Sequence, residues 1–241
     1  MTTGPDYGRA FADWRAACPA DWRAYSRHAF VEGLRDGSLP RAAFLHYLRQ
    51  DYVFLHHFAR AWALGIVKSG DVQEMQACAA TVNALVEDEI RLHVSVCEKA
   101  GISLADLEAT AEAPANMAYT RYVLEAGYSG DFLDLMAALA PCVLGYGEIG
   151  ARLKAEQGAP EYAEWIDTYA SPDYQQLCHD VGALIDRAVR NRLGENAAAT
   201  PRWDALRRRF AEATRLEVAF WDMGLCPPEP ARSAPTDGAS R

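Results

Sequence analysis

The sequence predicts an all-α fold in a single domain, and three observations carry that prediction. Alanine, leucine, arginine and glutamate dominate while runs of valine, isoleucine and threonine are scarce, a balance that favours helix over sheet. Apolar residues recur at spacings of three and four. Alternation of strand period never reaches a useful length. With 241 residues, 50% of them hydrophobic and 24% charged, the chain has ample material for a core.

The elements follow in order. Residues 8–17 read as a short helix with Ala10, Phe11 and Trp14 on one face. Pro19 opens a second helix to about Asp36, with Trp22, Tyr25, Phe30, Val31 and Leu34 as its stripe, and Gly37-Ser38 stops it. Pro40 stands at the start of a long helix, about Arg41 to Ser69, whose line of Phe44, Leu45, Leu48, Tyr52, Leu55 and Phe58 is rich in aromatics. Asp71 caps the next, about Val72 to Lys99, with Met75, Val82, Leu85, Ile90 and Val94 facing the core and Gly101 ending it. Ser103 caps a short turn anchored by Leu107. Pro114 begins a helix to about Ala126, stopped by Gly127. A long apolar segment spans about Phe132 to Gln157, and a short helix spans about Glu161 to Ala170. Ser171-Pro172 and Thr200-Pro201 repeat one start signal, a cap followed by proline at the first helical position. They open helices to about Arg192 and Met223. Residues 226–241, rich in proline, serine, alanine and charge, are expected to be a disordered tail after a helical domain spanning 1–225.

Composition excludes several function classes. The net charge is −9, and the one basic cluster, Arg207-Arg208-Arg209, sits among Asp204, Glu212 and Glu217. A solvated helix face explains it better than a phosphate track, so no nucleic-acid partner is expected. Six scattered cysteines without a C-x-x-C pair read as reduced thiols in a cytoplasmic protein. The start Met1-Thr2-Thr3-Gly4-Pro5-Asp6 carries neither a basic nor an apolar signal region, and no run of eighteen apolar residues occurs, so no membrane span is expected. Serine-hydrolase elbows, Walker loops and dinucleotide fingerprints are all missing.

The local pattern is most at odds with its surroundings at Leu139-Ala140-Pro141-Cys142-Val143-Leu144-Gly145-Tyr146-Gly147-Glu148. Proline inside a helix costs roughly 3 kcal/mol and each glycine about 1 kcal/mol relative to alanine. Such conflicts mark functional or strained sites. Cys142 is read either as an accessible thiol facing a small pocket or as a buried cysteine beside a packing kink. Asp51 interrupts an aromatic line three residues before Phe54; it either points to solvent or is buried and paired. Glu217 precedes Phe220 and Trp221 by three and four. It is either an exposed partner of Arg215 or a desolvated carboxyl suited to proton transfer. Tyr119 and Tyr169 fit ordinary core tyrosines equally well. Glu89 and His93 share a helix face, but a di-iron bundle needs Glu-x-x-His motifs that are missing here, so no metal site is expected. A local ion pair between them, or support of a neighbouring helix, is the simpler expectation.

Several of these pieces together resemble the thiaminase II (TenA) family, within the haem-oxygenase-like helical fold. The matching stretches are Tyr47 through Leu55, Ala118-Tyr119-Thr120, Pro141 through Gly150, Trp165 through Ser171, and Glu217 through Met223. They lie in the family's order across nearly the whole chain. The family has a branch with cysteine and a branch with glutamate at the position of Cys142, and this sequence resembles the first. The resemblance implies hydrolysis of thiamin-related aminopyrimidines without a cofactor: conversion of 4-amino-5-aminomethyl-2-methylpyrimidine to its hydroxymethyl form, and cleavage of thiamin. It implies Cys142 as nucleophile, Glu217 as acid/base, and Asp51 at the pyrimidine edge, where it would help position or activate the thiol. Tyr119, Tyr146 and Tyr169 would orient the ring, with Phe54 and Phe220 stacking on it or walling the pocket. It also implies a homotetramer. Two departures stand out: Val143-Leu144-Gly145 lacks the aromatic often found between cysteine and tyrosine, and Phe54 replaces a common tyrosine. A metal-dependent oxidase or oxygenase on the same fold, or a non-catalytic binder of thiamin or pyrimidine, are the alternatives.

Overall fold

The computed structural model describes residues 5–228, apart from the side chains of Asp88 and Leu92. Among the described residues every regular element is helical. In chain order these are α1 (Arg9–Ala17), α2 (Pro19–Ser26), α3 (Ala29–Asp36), α4 (Arg41–Lys68), α5 (Val72–Ala84), α6 (Ile90–Lys99), α7 (Leu104–Glu108), α8 (Pro114–Ser129), α9 (Phe132–Ala140), α10 (Tyr146–Ala155), α11 (Ala163–Ala170), α12 (Pro172–Leu193) and α13 (Pro201–Leu225). A wide π turn, Leu85–Glu89, joins α5 to α6, and a second, Pro141–Gly145, joins α9 to α10. The tail expected over 226–241 falls, from 229 onward, outside the described residues.

The segment 132–155 is a continuous helix through the centre of the bundle. All nine residues of α9 are buried. It is long and apolar enough to cross a membrane, but 89% of its most apolar window is buried inside the protein. Helices α4, α8, α12 and α13 pack around it. The predicted caps form: Asp71 accepts from Glu74 N, Ser103 and Asp106 make a reciprocal box, and Ser171 and Thr200 each cap a helix that starts with proline.

Four local expectations need correction. The helix expected from Pro19 to Asp36 breaks at Arg27-His28, where His28 Nδ1 accepts from Phe30 N. Tyr25 and Phe30, five positions apart, would face different ways on one straight helix. The break lets both rings stack on Trp221. Gly127 does not stop α8. It lies inside the helix, where a Cβ would overlap the Leu64 side chain of α4, so glycine sets how closely two helices approach. Met75 was expected in the core but is 42% exposed, because α5 turns Glu74, Cys78 and Thr81 inward instead. Arg192 pairs with Glu74 through both guanidinium nitrogens, at 2.6 and 2.7 Å, and that pairing fixes the rotation. The helix expected over Val72–Lys99 holds throughout but contains the π turn, whose extra residue shifts the phase of everything after Ala84.

Candidate active site

Pro141 does not break its helix. Its missing N–H and bulky ring disfavour the ordinary register, and the backbone answers with a wide turn. Such a turn leaves carbonyls without helical partners, and side chains from other elements reach them. Tyr25 donates to Pro141 O at 3.1 Å, Tyr174 to Val143 O at 3.3 Å, and Gln175 to Gly147 O at 3.0 Å. The glycines of this stretch are occupied by packing. A Cβ on Gly145 would overlap the Tyr25 ring, and one on Gly147 would crowd the Cys178 sulfur and the Tyr7 hydroxyl. Both are packing positions.

Cys142, held by this turn, is half-buried and free. It lines a narrow cavity of about 40 Å³. Asp51 and Phe54 reach the cavity from α4, Leu85 and Glu89 from the other π turn, Tyr146 from α10, Tyr169 from α11 and Tyr174 from α12. Two wide turns thus meet across one space, and π turns in helices commonly accompany functional sites.

The polar groups of this space are ordered by long-range contacts. Asp51 is buried, not solvent-facing. Tyr47 donates to it at 3.4 Å, and Trp165 Nε1 donates to the Tyr47 hydroxyl at 3.2 Å. His93 Nε2 lies 2.6 Å from Leu48 O, so it carries the proton, and its Nδ1 is 3.5 Å from Asp51 Oδ2. Of the two expectations for this pair, support of a neighbouring helix holds for His93, which bridges to α4, and among the described residues it makes no ion pair with Glu89. Glu217 is buried as well, and Tyr119 donates to its Oε1 at 2.8 Å. Arg215, the simple surface partner for Glu217, pairs instead with Asp21 at 2.9 Å and with Glu212. Tyr119, Glu217 and Phe220 stand one layer behind the cavity wall: the Phe54 ring packs 5.2 Å from Tyr119 and 5.5 Å from Phe220.

Electrostatically the site consists of carboxyls and one thiol with no cation among its linings. Burial pushes Asp51 up to about 7 against a lowering hydrogen bond from Tyr47. Burial, reinforced by Asp51, lifts Glu89 to about 8. Burial lifts Glu217 to about 8 although the Tyr119 hydrogen bond opposes it. The Cys142 thiol is raised well above its usual range by burial, then by Glu217, Asp51 and Glu89. At neutral pH the resting thiol is neutral, so it can attack only by passing its proton to a carboxylate. Around it, Cys142, Asp51, Phe54, Tyr146 and Tyr169 converge on the cavity as expected.

Glu89, Tyr47 and Tyr174 belong to the same arrangement without having been singled out as site residues. Glu89 had a signal, since it follows the core residue Leu85 by four, but an unlocated π turn hides its direction. Tyr174 had none, because one tyrosine near a cap looks like any other.

The fold has counterparts among solved structures. A TenA family protein from Silicibacter, described as a transcription regulator, is 60% identical, with a TM-score of 0.91 over 92% of this chain and 98% of that one. A Shewanella denitrificans domain of unknown function with a heme oxygenase-like fold is 15% identical, with a TM-score of 0.63 over 88% of this chain and 87% of that one. An aminopyrimidine aminohydrolase of Halalkalibacterium halodurans is 37% identical over 205 residues, 84% of this chain and 89% of the relative. The TENA/THI-4/PQQC family model matches residues 16–227, from α1 to just past α13, and the chain belongs to that family.

Proposed function

We propose that the chain is an aminopyrimidine aminohydrolase of the thiaminase II type, hydrolysing a C–N bond at the exocyclic methylene of a thiamin-related aminopyrimidine. The Halalkalibacterium relative supports the reaction class. The observation that carries the residue roles is a thiol and two carboxyls, Asp51 and Glu89, lining one aromatic cavity, with Glu217 behind its wall and no cation among the described lining residues. Protonated Glu217, oriented by Tyr119 behind the Phe54 wall, gives its proton to a ring nitrogen once Phe54 moves aside for the bound ring, and so makes the ring electrophilic. Ionised Asp51, steadied by Tyr47, takes the thiol proton as Cys142 adds to the ring. Electrons pass toward the exocyclic methylene and expel the leaving group. Water then adds there, the thiol departs, and the aromatic ring is restored. Tyr146 and Tyr169 line the ring's site, while Phe54 and, behind it, Phe220 form its apolar wall. One nucleophile and carboxyl acids complete these steps, so the reading needs no cofactor.

Cys142→Ser is expected to abolish hydrolysis, read by mass spectrometry of products from thiamin and aminopyrimidines, while leaving the helical circular-dichroism signal intact. Unchanged turnover would sink the assignment. The same reading places the chain in the cytoplasm, where a reducing milieu keeps Cys142 free. It also makes the chain a homotetramer. Exposed Val67, Val72 and Tyr128 cluster where Lys68 Nζ reaches Tyr128 O at 3.3 Å, an apolar surface suited to assembly. Light scattering is expected to give the mass of four chains; a monomer mass would refute assembly. The Silicibacter protein is described as a transcription regulator; a DNA-binding role for this chain is opposed by the net charge of −9. It is opposed also by the pairing of Arg207 with Asp13 and of Arg209 with Asp134.

A further inference from the structure

Glu89 stands between two cavities. It lines the reaction cavity with Cys142 and Asp51, and with Tyr169 it also lines a second, more open outer cavity of about 40 Å³. That outer space is bounded further by Leu48, His93, Glu164 and Thr168, with no lysine or arginine among its linings. His93 adds no positive charge, because burial lowers its basicity. Glu89 is half-buried and lines the reaction cavity beside Cys142, Tyr169 and Tyr174 of three other elements, and among the described residues no side chain hydrogen-bonds it. Glu217 differs on both counts: it sits behind Phe54 and is committed to Tyr119. A ring stacked against Phe54 beside Cys142 leaves the Glu89 side of the cavity for its exocyclic substituent, and there the outer cavity offers a way out.

Resting on the aminohydrolase reading, we propose that Glu89 is a further catalytic residue, the acid that protonates the departing amine and then the base that deprotonates the incoming water. The step balances. The C–N bond breaks with its electron pair on nitrogen, Glu89 supplies the proton, and the amine leaves through the acid-lined outer cavity. Water adds to the methylene, a C–O bond forms, and the water proton returns to Glu89. Burial raises this carboxyl to about 8, which keeps it protonated until the amine needs it.

Two substrates separate this role from all others. An amine is a poor leaving group unless protonated, whereas the thiazolium of thiamin leaves as a neutral thiazole and needs no proton. Glu89→Gln in the full chain is expected to lower kcat on 4-amino-5-aminomethyl-2-methylpyrimidine by about 100-fold or more, and on thiamin by less than about 10-fold. Glu89→Asp is expected to restore part of the amine activity, and it serves as the test if the glutamine variant fails to fold. Equal losses on both substrates, or none on either, overturn the role of Glu89 alone. Turnover of neither substrate by the wild-type chain overturns the aminohydrolase reading, and this role with it.

Discussion

Glu74 and Glu217 are two buried glutamates of one bundle, and their surroundings drive them in opposite directions. Glu74 meets Arg192 through two short hydrogen bonds and accepts a third from Gly70 N. The Arg192 hydrogen bonds hold its carboxyl below the usual range despite burial. Glu217 has one neutral partner, Tyr119, and burial carries it up to about 8. The first is a permanent anion that locks α5 to α12. The second is an acid with a removable proton. Burial alone therefore does not make a carboxyl reactive; burial without a cation does.

The comparison breaks or sharpens under three tests, in falling order of effect. Glu217→Gln keeps the shape and the Tyr119 contact but removes the titrating group, so kcat is expected to fall by about 100-fold or more with the fold intact. A loss below tenfold in steady-state assays would place the essential acid elsewhere. Glu74→Gln is expected to do the reverse. It leaves Arg192 without its counter-charge, which is expected to cost about 2 kcal/mol, fewer than for a fully buried pair because the arginine is partly exposed. Urea unfolding measures that cost, and turnover per folded molecule is expected to stay unchanged; a matching fall in kcat would erase the distinction.

The smallest effect is the pH dependence of stability. A carboxyl whose folded value is raised stabilises fully below its unfolded value of about 4.5, and that stabilisation is lost as pH rises through about 8. Glu89 and Asp51 act in the same direction. Glu74 has the opposite sign: its contribution is present above 4.5 and lost as pH falls through its depressed value. Wild-type Tm is accordingly expected to drop by a few degrees between pH 5 and 9, and Glu217→Gln to flatten that drop. Parallel curves in scanning fluorimetry would mean that Glu217 is not raised.

Much of this was legible in the chain itself. The period of three and four, the prolines at first helical positions and the Asp71, Ser103, Ser171 and Thr200 caps marked the long helices before any contact was known. These are local signals, settled within one or two turns. The odd grouping of proline, cysteine and glycine marked the turn that carries Cys142, and Asp51 and Glu217 stood out because carboxyls are expensive on aromatic faces. Other features depend on partners far away in sequence. Gly127 reads as a helix stop until Leu64 is seen against it, and Met75 reads as core until Arg192 claims Glu74. Glu89 faces the thiol because a π turn re-aims it, and no residue in Leu85-Val86-Glu87-Asp88-Glu89 announces that turn. The sequence by itself determined the helices and which unusual residues they carry. Only the tertiary structure decided which carboxyls keep their protons, because a charge is set by what stands within a few ångströms. The arginine that fixes Glu74 as an anion lies 118 residues away along the chain, and among the described residues no arginine pairs with Glu217.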